Sequence, residues 1–265
     1  MKYNLIINGA AGRMGKSILA LAAQDQSLQI SAAIEKTGHP DLGKDAGTLA
    51  GIEPINVKLD TNFPPQADVM IDFSLPEAAD KSVDYCSTNG VALVLGTTGL
   101  SETQHDKLKK AAEKIPIVYA TNMSVGMNLL FNIAPNIAKM LGPEYDIEIV
   151  EAHHRFKKDA PSGSALTLAK NIAEKTNRKF PDCLTHGRYG KDSLRQKNNI
   201  GIHAIRAGDI TGQHSVIFST LGETVTISHN AHNRNNFARG AVRAASWIIG
   251  KKPALYSMAN VLSFA

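Results

Sequence analysis

The sequence predicts an α/β chain with two domains, in which an N-terminal parallel-sheet domain is followed by an α+β domain with a mixed sheet. Three observations support this class. Over roughly the first half, short apolar runs that favour strands alternate with segments of helical periodicity. The first apolar run is followed by a glycine-rich turn and a helix. Beyond the midpoint the runs lengthen, and Leu221-Gly222 joins two of them in a hairpin-type connection.

The first predicted strand, residues 3–8, ends at a glycine turn with the sequence Gly9-Ala-Ala-Gly12-Arg-Met-Gly15. Its spacing is one step off the G-x-G-x-x-G fingerprint, because Ala11 stands where the middle glycine would be. We expect Gly9 to allow the tight turn, Gly12 to let the backbone approach a pyrophosphate, and Gly15 to let the helix pack on the strand. Taken alone the turn is a weak signal, since glycine turns after strands are common.

The acidic residue Glu35 strengthens the dinucleotide interpretation, because it ends the second predicted strand 20 positions after Gly15. A carboxylate at this place accepts hydrogen bonds from an adenosine ribose. The neighbouring Lys36 suits a 2′-phosphate, so NADH and NADPH both remain open as cofactors. The alternative is that the two are exposed charges closing a strand. The order of strand, glycine turn, helix and acid favours a Rossmann-type domain.

Further strands are predicted over residues 68–73, 91–95 and 115–120, with helices between them. In an open parallel sheet, ligands bind beyond the carboxyl ends of the strands. Three loops at that edge are therefore the expected cofactor contacts. Their residues are Gly9, Ala10, Ala11, Gly12, Arg13 and Met14 in the first loop, Gly96, Thr97 and Thr98 in the second, and Ala120, Thr121, Asn122 and Met123 in the third.

The second half predicts a long helix that passes Pro135 and ends near Leu141, then alternating strands and one helix. Residues 179–199 show no clear periodicity and are predicted to be a long mobile excursion, serving as a lid or a subunit contact. The closing helix, residues 235–249, carries an apolar stripe that we expect to pack on the first domain. The predicted domains are thus residues 1–124 with 235–265, and residues 125–234.

The densest group of polar residues runs from Glu151 to Ala165 and contains His153, His154 and Lys157. An alternating strand precedes it, and a helix follows with Ser162 as the predicted N-cap. Because the first amides of a helix lack internal partners, such a junction attracts anions. The cluster therefore predicts proton donors beside a site for carboxylates or phosphates. The other histidines of this half are expected to have no special role: His203, His214, His229 and His232.

Composition excludes several classes of protein. The net charge of +5 invites a nucleic-acid interpretation, but the basic residues are scattered and aromatic residues make up only 6% of the chain. No apolar run approaches the length of a membrane span, and the N-terminal residues do not resemble a signal peptide. The two cysteines, Cys86 and Cys183, have no metal-binding spacing, so we expect no metal and a reducing cytoplasm.

Taken together, the motifs resemble the 4-hydroxy-tetrahydrodipicolinate reductase (dihydrodipicolinate reductase) family over essentially the whole chain. The segments that carry the resemblance are Gly9–Gly15, Gly96–Gly99, Asn122–Gly126, Glu151–Lys157, Asp159–Gly163, Arg206–Asp209 and Gly222-Glu223. Departures are mild: Ser164 stands where threonine is usual, and Lys36 replaces an arginine that is often present. The second departure leaves the choice between NADH and NADPH open.

The resemblance implies an NAD(P)H-dependent reduction of 4-hydroxy-tetrahydrodipicolinate to tetrahydrodipicolinate, with loss of water, in the diaminopimelate route to lysine. It implies that His153 is the general acid and that His154 contacts the substrate. Lys157 is then a second donor, which protonates developing negative charge or grips a carboxylate. Gly163 and Ser164 offer backbone amides and a hydroxyl to the other carboxylate. The second domain would bind substrate and form a homotetramer through its sheet.

Two other functions fit parts of the sequence less well. Another two-domain NAD(P)-dependent dehydrogenase acting on a small dicarboxylate would need a different catalytic residue, such as a cysteine nucleophile, and neither cysteine lies in a suitable loop. A nucleotide-sensing protein of the same fold would be expected to lack the proton donors, whereas His153 and Lys157 are both present.

Overall fold

A computed structural model describes residues 2–263 of the chain, and their contacts divide it into two compact units. Residues up to Val125 and those from Arg234 onward form the first unit, and Gly126–Asn233 form the second. In chain order the elements are β1 (Tyr3–Asn8), α1 (Arg13–Ala22), β2 (Leu28–Ile34), α2 (Ala46–Leu49), β3 (Leu59–Asp60), β4 (Val69–Asp72), α3 (Pro76–Asn89), β5 (Ala92–Leu95), α4 (Glu102–Ala111), β6 (Pro116–Tyr119), α5 (Val125–Leu141), β7 (Asp146–His153), α6 (Gly163–Lys175), β8 (Leu184–His186), β9 (Ile200–Arg206), β10 (Gly212–Thr220), β11 (Glu223–Ala231), α7 (Asn235–Ile248), β12 (Ala254–Tyr256) and α8 (Met258–Val261).

The first unit is built on a parallel sheet of seven strands in the order β12-β6-β5-β4-β1-β2-β3. Its central strands are buried along their length, because helices cover both faces of the sheet. This arrangement confirms the predicted Rossmann-type domain. Two helix starts and one helix end have typical capping residues: Pro76 lies in the first turn of α3, Ser101 caps α4 through a capping box, and Gly90 ends α3 with a left-handed φ of +68°.

Helix α7 completes the core of the first unit. Its side chains Ala238, Ala241, Ala245 and Ile248 are fully buried in one cluster with residues of β1, β4 and α1. A Cβ atom added at Gly240 would collide with the backbone oxygen of Met123, which shows how closely this helix approaches the segment after β6. The stripe predicted for the closing helix therefore packs where it was expected.

The second unit is an α+β domain whose mixed sheet has the strand order β11-β10-β7-β9-β8. Strands β10 and β11 form an antiparallel hairpin in which Thr220 pairs with Glu223, so Leu221-Gly222 is the turn, as predicted. One face of the sheet packs on α5 and α6 through an apolar cluster that includes Ile149, Ile202 and Phe218. On this face the sheet places the ends of three strands beside the start of α6.

The excursion predicted over residues 179–199 is corrected by the structure. It contains β8, which pairs in parallel with β9 at the edge of the sheet. The strand is three residues long and only partly buried, so its sequence carries no detectable period of two. Arg188 and Arg195 further fasten the segment to Glu148 of β7, at nitrogen–oxygen distances of 2.8 and 3.0 Å. This part of the predicted excursion is therefore a paired edge strand, where the sequence showed no periodicity.

Candidate functional site

The glycine turn after β1 has the geometry that its sequence predicts. Gly9 adopts a φ of +76°, and a Cβ there would lie 2.8 Å from the carbonyl oxygen of Phe73. A Cβ at Gly15 would run into the carbonyl oxygen of Gly9, so α1 can pack on the turn only with glycine at that place. Gly12 is exposed and forms the N-cap of α1, which leaves the first amides of the helix accessible to an anion.

A pocket of about 420 Å³ lies beside this turn and brings together Gly9, Gly12, Glu35 and Lys36. Glu35 supports the turn directly, because its Oε2 accepts a hydrogen bond of 3.2 Å from the backbone N–H of Ala11. The pocket walls combine backbone, apolar rings and charged side chains; they also include Ile34, Thr37, Phe63, Phe73, Ser74 and Lys81. This chemistry fits the adenosine end of a dinucleotide.

The other two predicted cofactor loops do not line this pocket. Thr97 is buried and donates to Asp72 over 3.0 Å, whereas Thr98 is exposed. The side chain of Met123 lies in the core of the first unit and is only 1% exposed, so its backbone is the part left for a ligand. Their neighbours in the predicted set are Ala10 (buried), Ala11 and Met14 (partly buried), Arg13 (exposed), Gly96 (buried), Ala120 and Asn122 (partly buried) and Thr121 (exposed).

Asp72 is a buried acidic residue that organises this region. It is fully buried at the end of β4 and accepts hydrogen bonds from the Ser74 amide at 2.8 Å, the Ser74 hydroxyl at 2.7 Å and the Asn8 side chain at 3.1 Å. Together with Thr97, these groups tie the ends of β1, β4 and β5 to one another. Asp72 therefore fixes the edge of the sheet from which the loops emerge.

In the second unit, strand β7 places Glu151 and His153 on the same face because side chains alternate along a strand. The Nδ1 atom of His153 lies 2.6 Å from Oε2 of Glu151. Since a carboxylate only accepts hydrogen bonds, Nδ1 carries the hydrogen and Nε2 is left for proton exchange. Strand β7 ends at His153, so the alternation argument does not extend to His154.

The carboxylate of Glu151 is completely buried and is held by two further partners. Arg206, which pairs with His153 across β7 and β9, donates to both oxygens at 2.8 Å. The backbone N–H of Ser162, the N-cap of α6, donates to Oε1 at 3.0 Å. Burial alone would raise the pKa of Glu151, but these hydrogen bonds outweigh it and hold the pKa below its usual value.

His214 corrects one expectation. It was predicted to have no special role, yet it is only 4% exposed and stands opposite Glu151 on strand β10. Its Nε2 lies 3.2 Å from the hydroxyl of Ser162, and its ring meets that of His153 edge-on at 5.2 Å. Burial, with a smaller contribution from the charge on His153, lowers the pKa of His214 to about 4. His214 is therefore a neutral, buried support of the site near pH 7.

Lys157 lies on the loop that leaves β7, where its Nζ pairs with the Asp159 carboxylate at 2.8 Å. The backbone oxygen of Asp159 in turn accepts a hydrogen bond of 2.6 Å from Arg206. The loop is therefore tied to the arginine that pairs with the buried Glu151 carboxylate. Gly163 opens α6 and is exposed, and Ser164 follows it. The hydroxyl of Ser162 accepts from the Ala165 amide at 3.2 Å, which confirms the predicted N-cap.

The ring of His153 is subject to opposed influences. Burial lowers its pKa and is the largest cause; the hydrogen bond and charge of Glu151 raise it, and the charges of Lys157 and Arg206 lower it further. The net result is a pKa below the ordinary value for histidine. Of the predicted residues, the structure thus brings together His153, Lys157, Gly163 and Ser164 at one end of the mixed sheet. It adds Glu151, Arg206 and His214, to which the sequence had assigned no role.

Within residues 2–263, no group of three or more histidine, cysteine, aspartate or glutamate side chains is placed to hold a metal ion. In the same range no helix is both long and apolar enough to cross a membrane.

Family models for the N-terminus and the C-terminus of dihydrodipicolinate reductase match residues 3–123 and 126–262 of the chain. Among curated proteins, the 4-hydroxy-tetrahydrodipicolinate reductase of Anaeromyxobacter dehalogenans (strain 2CP-C) is 45% identical over 97% of both chains. That of Magnetococcus marinus (strain ATCC BAA-1437 / JCM 17883 / MC-1) is 44% identical over 100% of both.

Among solved structures, a dipicolinate-bound dihydrodipicolinate reductase from Paenisporosarcina sp. TG-14 superposes with a TM-score of 0.74, at 23% identity and over 97% of this chain and 98% of that one. An aspartate semialdehyde dehydrogenase II from Vibrio cholerae superposes with a TM-score of 0.55 at 12% identity, covering 100% of this chain and 99% of that one. The fold is therefore shared by several dehydrogenases, and the fold alone does not determine the reaction.

Proposed function

This chain belongs to the dihydrodipicolinate reductase family, and we propose that the cluster around His153 carries out the family's reaction. The enzyme reduces 4-hydroxy-tetrahydrodipicolinate to tetrahydrodipicolinate: a hydride and a proton are added, and one water is lost. We do not favour the two other functions, a different dicarboxylate dehydrogenase or a nucleotide sensor. Relatives that are 41–45% identical over nearly the whole chain are named 4-hydroxy-tetrahydrodipicolinate reductase.

The cofactor is NADH or NADPH, which supplies the hydride when it is bound. In the first unit the exposed amides after Gly12 would receive the pyrophosphate, and Glu35 would receive the adenosine ribose. Lys36, an exposed residue of the same pocket, would meet a 2′-phosphate. The backbones of Gly96–Thr98 and Ala120–Met123 would contact the rest of the cofactor at the same sheet edge.

His153 gives the proton, and Glu151 fixes which nitrogen does so. Hydrogen bonding of Nδ1 to Glu151 leaves Nε2 as the atom that faces a reactant. Gly212 is important here, because a Cβ on it would sit only 3.2 Å from that Nε2 and would crowd it. Lys157 supplies a second positive group, only partly exposed and held by Asp159.

The substrate carries two carboxylates, and the loop after β7 and the first turn of α6 offer donors for both. Lys157 grips one, with His154 beside it on the same loop. The helix start, where Gly163 is exposed and Ser164 partly exposed, would receive the other through backbone N–H groups and the Ser164 hydroxyl. The observation that carries this proposal is the pairing of His153 with the buried Glu151 carboxylate, which also holds the N-cap of α6.

A steady-state assay tests these roles, with loss of reduced-nicotinamide absorbance followed on freshly made hydroxy-tetrahydrodipicolinate. His153→Ala and Lys157→Ala are each expected to lower kcat by about 10²–10⁴-fold, the range of a positioned acid. Binding of NADH, measured by its fluorescence, should be unaltered. The matched control is Lys158→Ala, an exposed lysine next in the chain. Full activity in both variants would refute the assignment.

The second unit also supports a homotetramer formed through its sheet. One face of that sheet is covered by α5 and α6, while Ile205 of β9 lies on the opposite face and is 47% exposed. Burial of such apolar side chains against another copy would stabilise an assembly. Sedimentation equilibrium at micromolar concentration should give four times the chain mass of 28.4 kDa. A monomer would overturn this part of the proposal.

Both cysteines are free thiols and are buried, which suits a reducing compartment such as the cytoplasm. Cell fractionation with an antibody against the chain would test this location, and recovery outside the cytoplasmic fraction would contradict it.

A further inference from the structure

We propose that Glu151 and Arg206 form a positioning pair that aligns the proton-donating ring of His153 with the anion-binding first turn of α6. The inference deepens the proposed function and rests on it for the meaning of the two aligned groups. Its structural content stands apart from turnover: one buried carboxylate holds a histidine ring and a helix start at once. Neither residue was assigned a role by its sequence pattern.

The two oxygens of Glu151 divide the task between them. Oε2 lies 2.6 Å from His153 Nδ1 and 2.8 Å from Arg206 Nη1. Oε1 accepts from the Ser162 amide at 3.0 Å and from Arg206 Nη2 at 2.8 Å. Ser162 is the residue directly before Gly163, so this amide fixes where the first turn of α6 lies. Four donors thus converge on one carboxylate, and any rotation of it would break contacts on both sides.

Arg206 makes the burial of this charge tolerable. A fully buried carboxylate is strongly destabilising unless it is paired and hydrogen-bonded, and a planar guanidinium meets both oxygens at once. Strand register supplies the partner, because Arg206 stands beside His153 on the neighbouring strand β9. The same guanidinium donates to the Asp159 backbone oxygen at 2.6 Å, which extends the alignment to the loop bearing Lys157.

The pair also controls the charge on His153. The charged or titratable groups that face its ring are Glu151 on its own strand, Arg206 on β9, His214 on β10 and Lys157 on the following loop. Only Glu151 favours the imidazolium, while burial and the two cationic side chains oppose it. Glu151 is therefore the group that keeps the ring protonatable, and Arg206 limits how far it does so.

Replacement of Glu151 by glutamine tests whether this carboxylate positions the His153 ring and whether it favours the protonated ring. The new amide must place an NH₂ among partners that are all donors in the native cluster: Arg206, the Ser162 amide and His153 Nδ1–H. The least unfavourable arrangement turns the NH₂ toward His153, so that Nδ1 becomes the acceptor and the hydrogen moves to Nε2. We expect this tautomer change in ¹⁵N-histidine NMR spectra, with the His153 signal assigned by comparison with His153→Ala.

The pH profiles of two variants should move in opposite directions. A proton donor is active below its pKa, so kcat falls as pH rises through that value. In Glu151→Gln the lost negative charge should move this fall to lower pH and reduce kcat at pH 7.5 by on the order of 10²-fold. In Arg206→Gln the lost positive charge should move the apparent pKa of the Glu151–His153 pair, and with it the fall in kcat, to higher pH.

Glu148→Gln is the matched control, since Glu148 lies on the opposite face of β7 and also binds two arginines. It should leave the tautomer and pKa of His153 unchanged. Glu151→Asp, which keeps the charge, should restore part of the lost rate and serves if the glutamine variant does not fold. A wild-type chain without turnover would defeat the proposed function and leave the NMR test standing. Equal loss of rate at every pH, with an unaltered His153 signal, would overturn the positioning pair.

Discussion

Acidification should destabilise the second unit through His214, and the effect can be calculated. The pKa of this ring is about 4 in the folded chain, against an ordinary value of 6.5 expected after unfolding. Because the folded pKa is the lower one, the unfolded chain binds the proton more readily between these values. Stability is therefore complete above pH 6.5 and is lost progressively as pH falls toward 4.

The size of the loss follows from the two pKa values. Between pH 7 and pH 4.5 the His214 proton should lower the free energy of unfolding by about 2 kcal/mol. The glutamine variant His214→Gln keeps a polar group near Ser162 but cannot titrate, so its stability should fall less over the same interval. His153 and His229, whose pKa values are also lowered by burial, act in the same direction in both proteins, and their contributions cancel in the comparison.

Hydrogen exchange measured by mass spectrometry on peptides from β7 and β10 would report on the second unit. Fluorescence of Trp247, the single tryptophan, would report separately on the first. The exposed residue His232 provides the control His232→Gln, which should behave as wild type. If wild type and His214→Gln lose the same protection from exchange between pH 7 and pH 4.5, protonation of His214 does not cause the loss of stability, and the reasoning is refuted.

Three further outcomes are expected. Gly15→Ala should weaken NADH binding at least tenfold in a fluorescence titration, because its Cβ would displace the Gly9 carbonyl; an unchanged Kd would contradict the turn geometry. Gly240→Ala should destabilise the first unit by about 1–3 kcal/mol through its clash with the Met123 backbone, as measured by urea unfolding with Trp247 fluorescence. Cys86, fully buried with a raised pKa, should resist thiol reagents in the native protein, and rapid labelling would refute its burial.

Most of the fold could be predicted because its strands are local, apolar and regularly punctuated. The turn after β1, the hairpin at Leu221-Gly222 and the cap at Ser162 are each encoded in a few neighbouring residues. The strands that the sequence did not predict are short and lie at sheet edges, such as β3 with two residues and β12 with three. Edge pairing on this scale depends on the neighbouring strand and leaves no periodic pattern.

In the candidate site, too, residues close together in the sequence could be predicted, and residues from distant strands could not. His153, Lys157 and Gly163 lie in one continuous motif, so a linear pattern could single them out together. Arg206 and His214 come from other strands, and only the register of the sheet shows that they stand beside His153 and opposite Glu151. Arg206 did lie within a quoted motif, which was a usable signal. Nothing in the sequence around His214 distinguishes it from an exposed histidine on a strand.

The placement of α7 has a consequence for biosynthesis. While the ribosome is still adding the second unit, the nascent parallel sheet lacks the helix that covers part of its apolar surface. Because the ribosome adds about 5–20 residues per second, this apolar surface stays exposed for on the order of 10 s before α7 is synthesised. The second unit is contiguous and can finish first. Chaperone binding to stalled chains should thus be strongest just before α7 emerges, and a copy with α7 relocated ahead of β1 should need less such help.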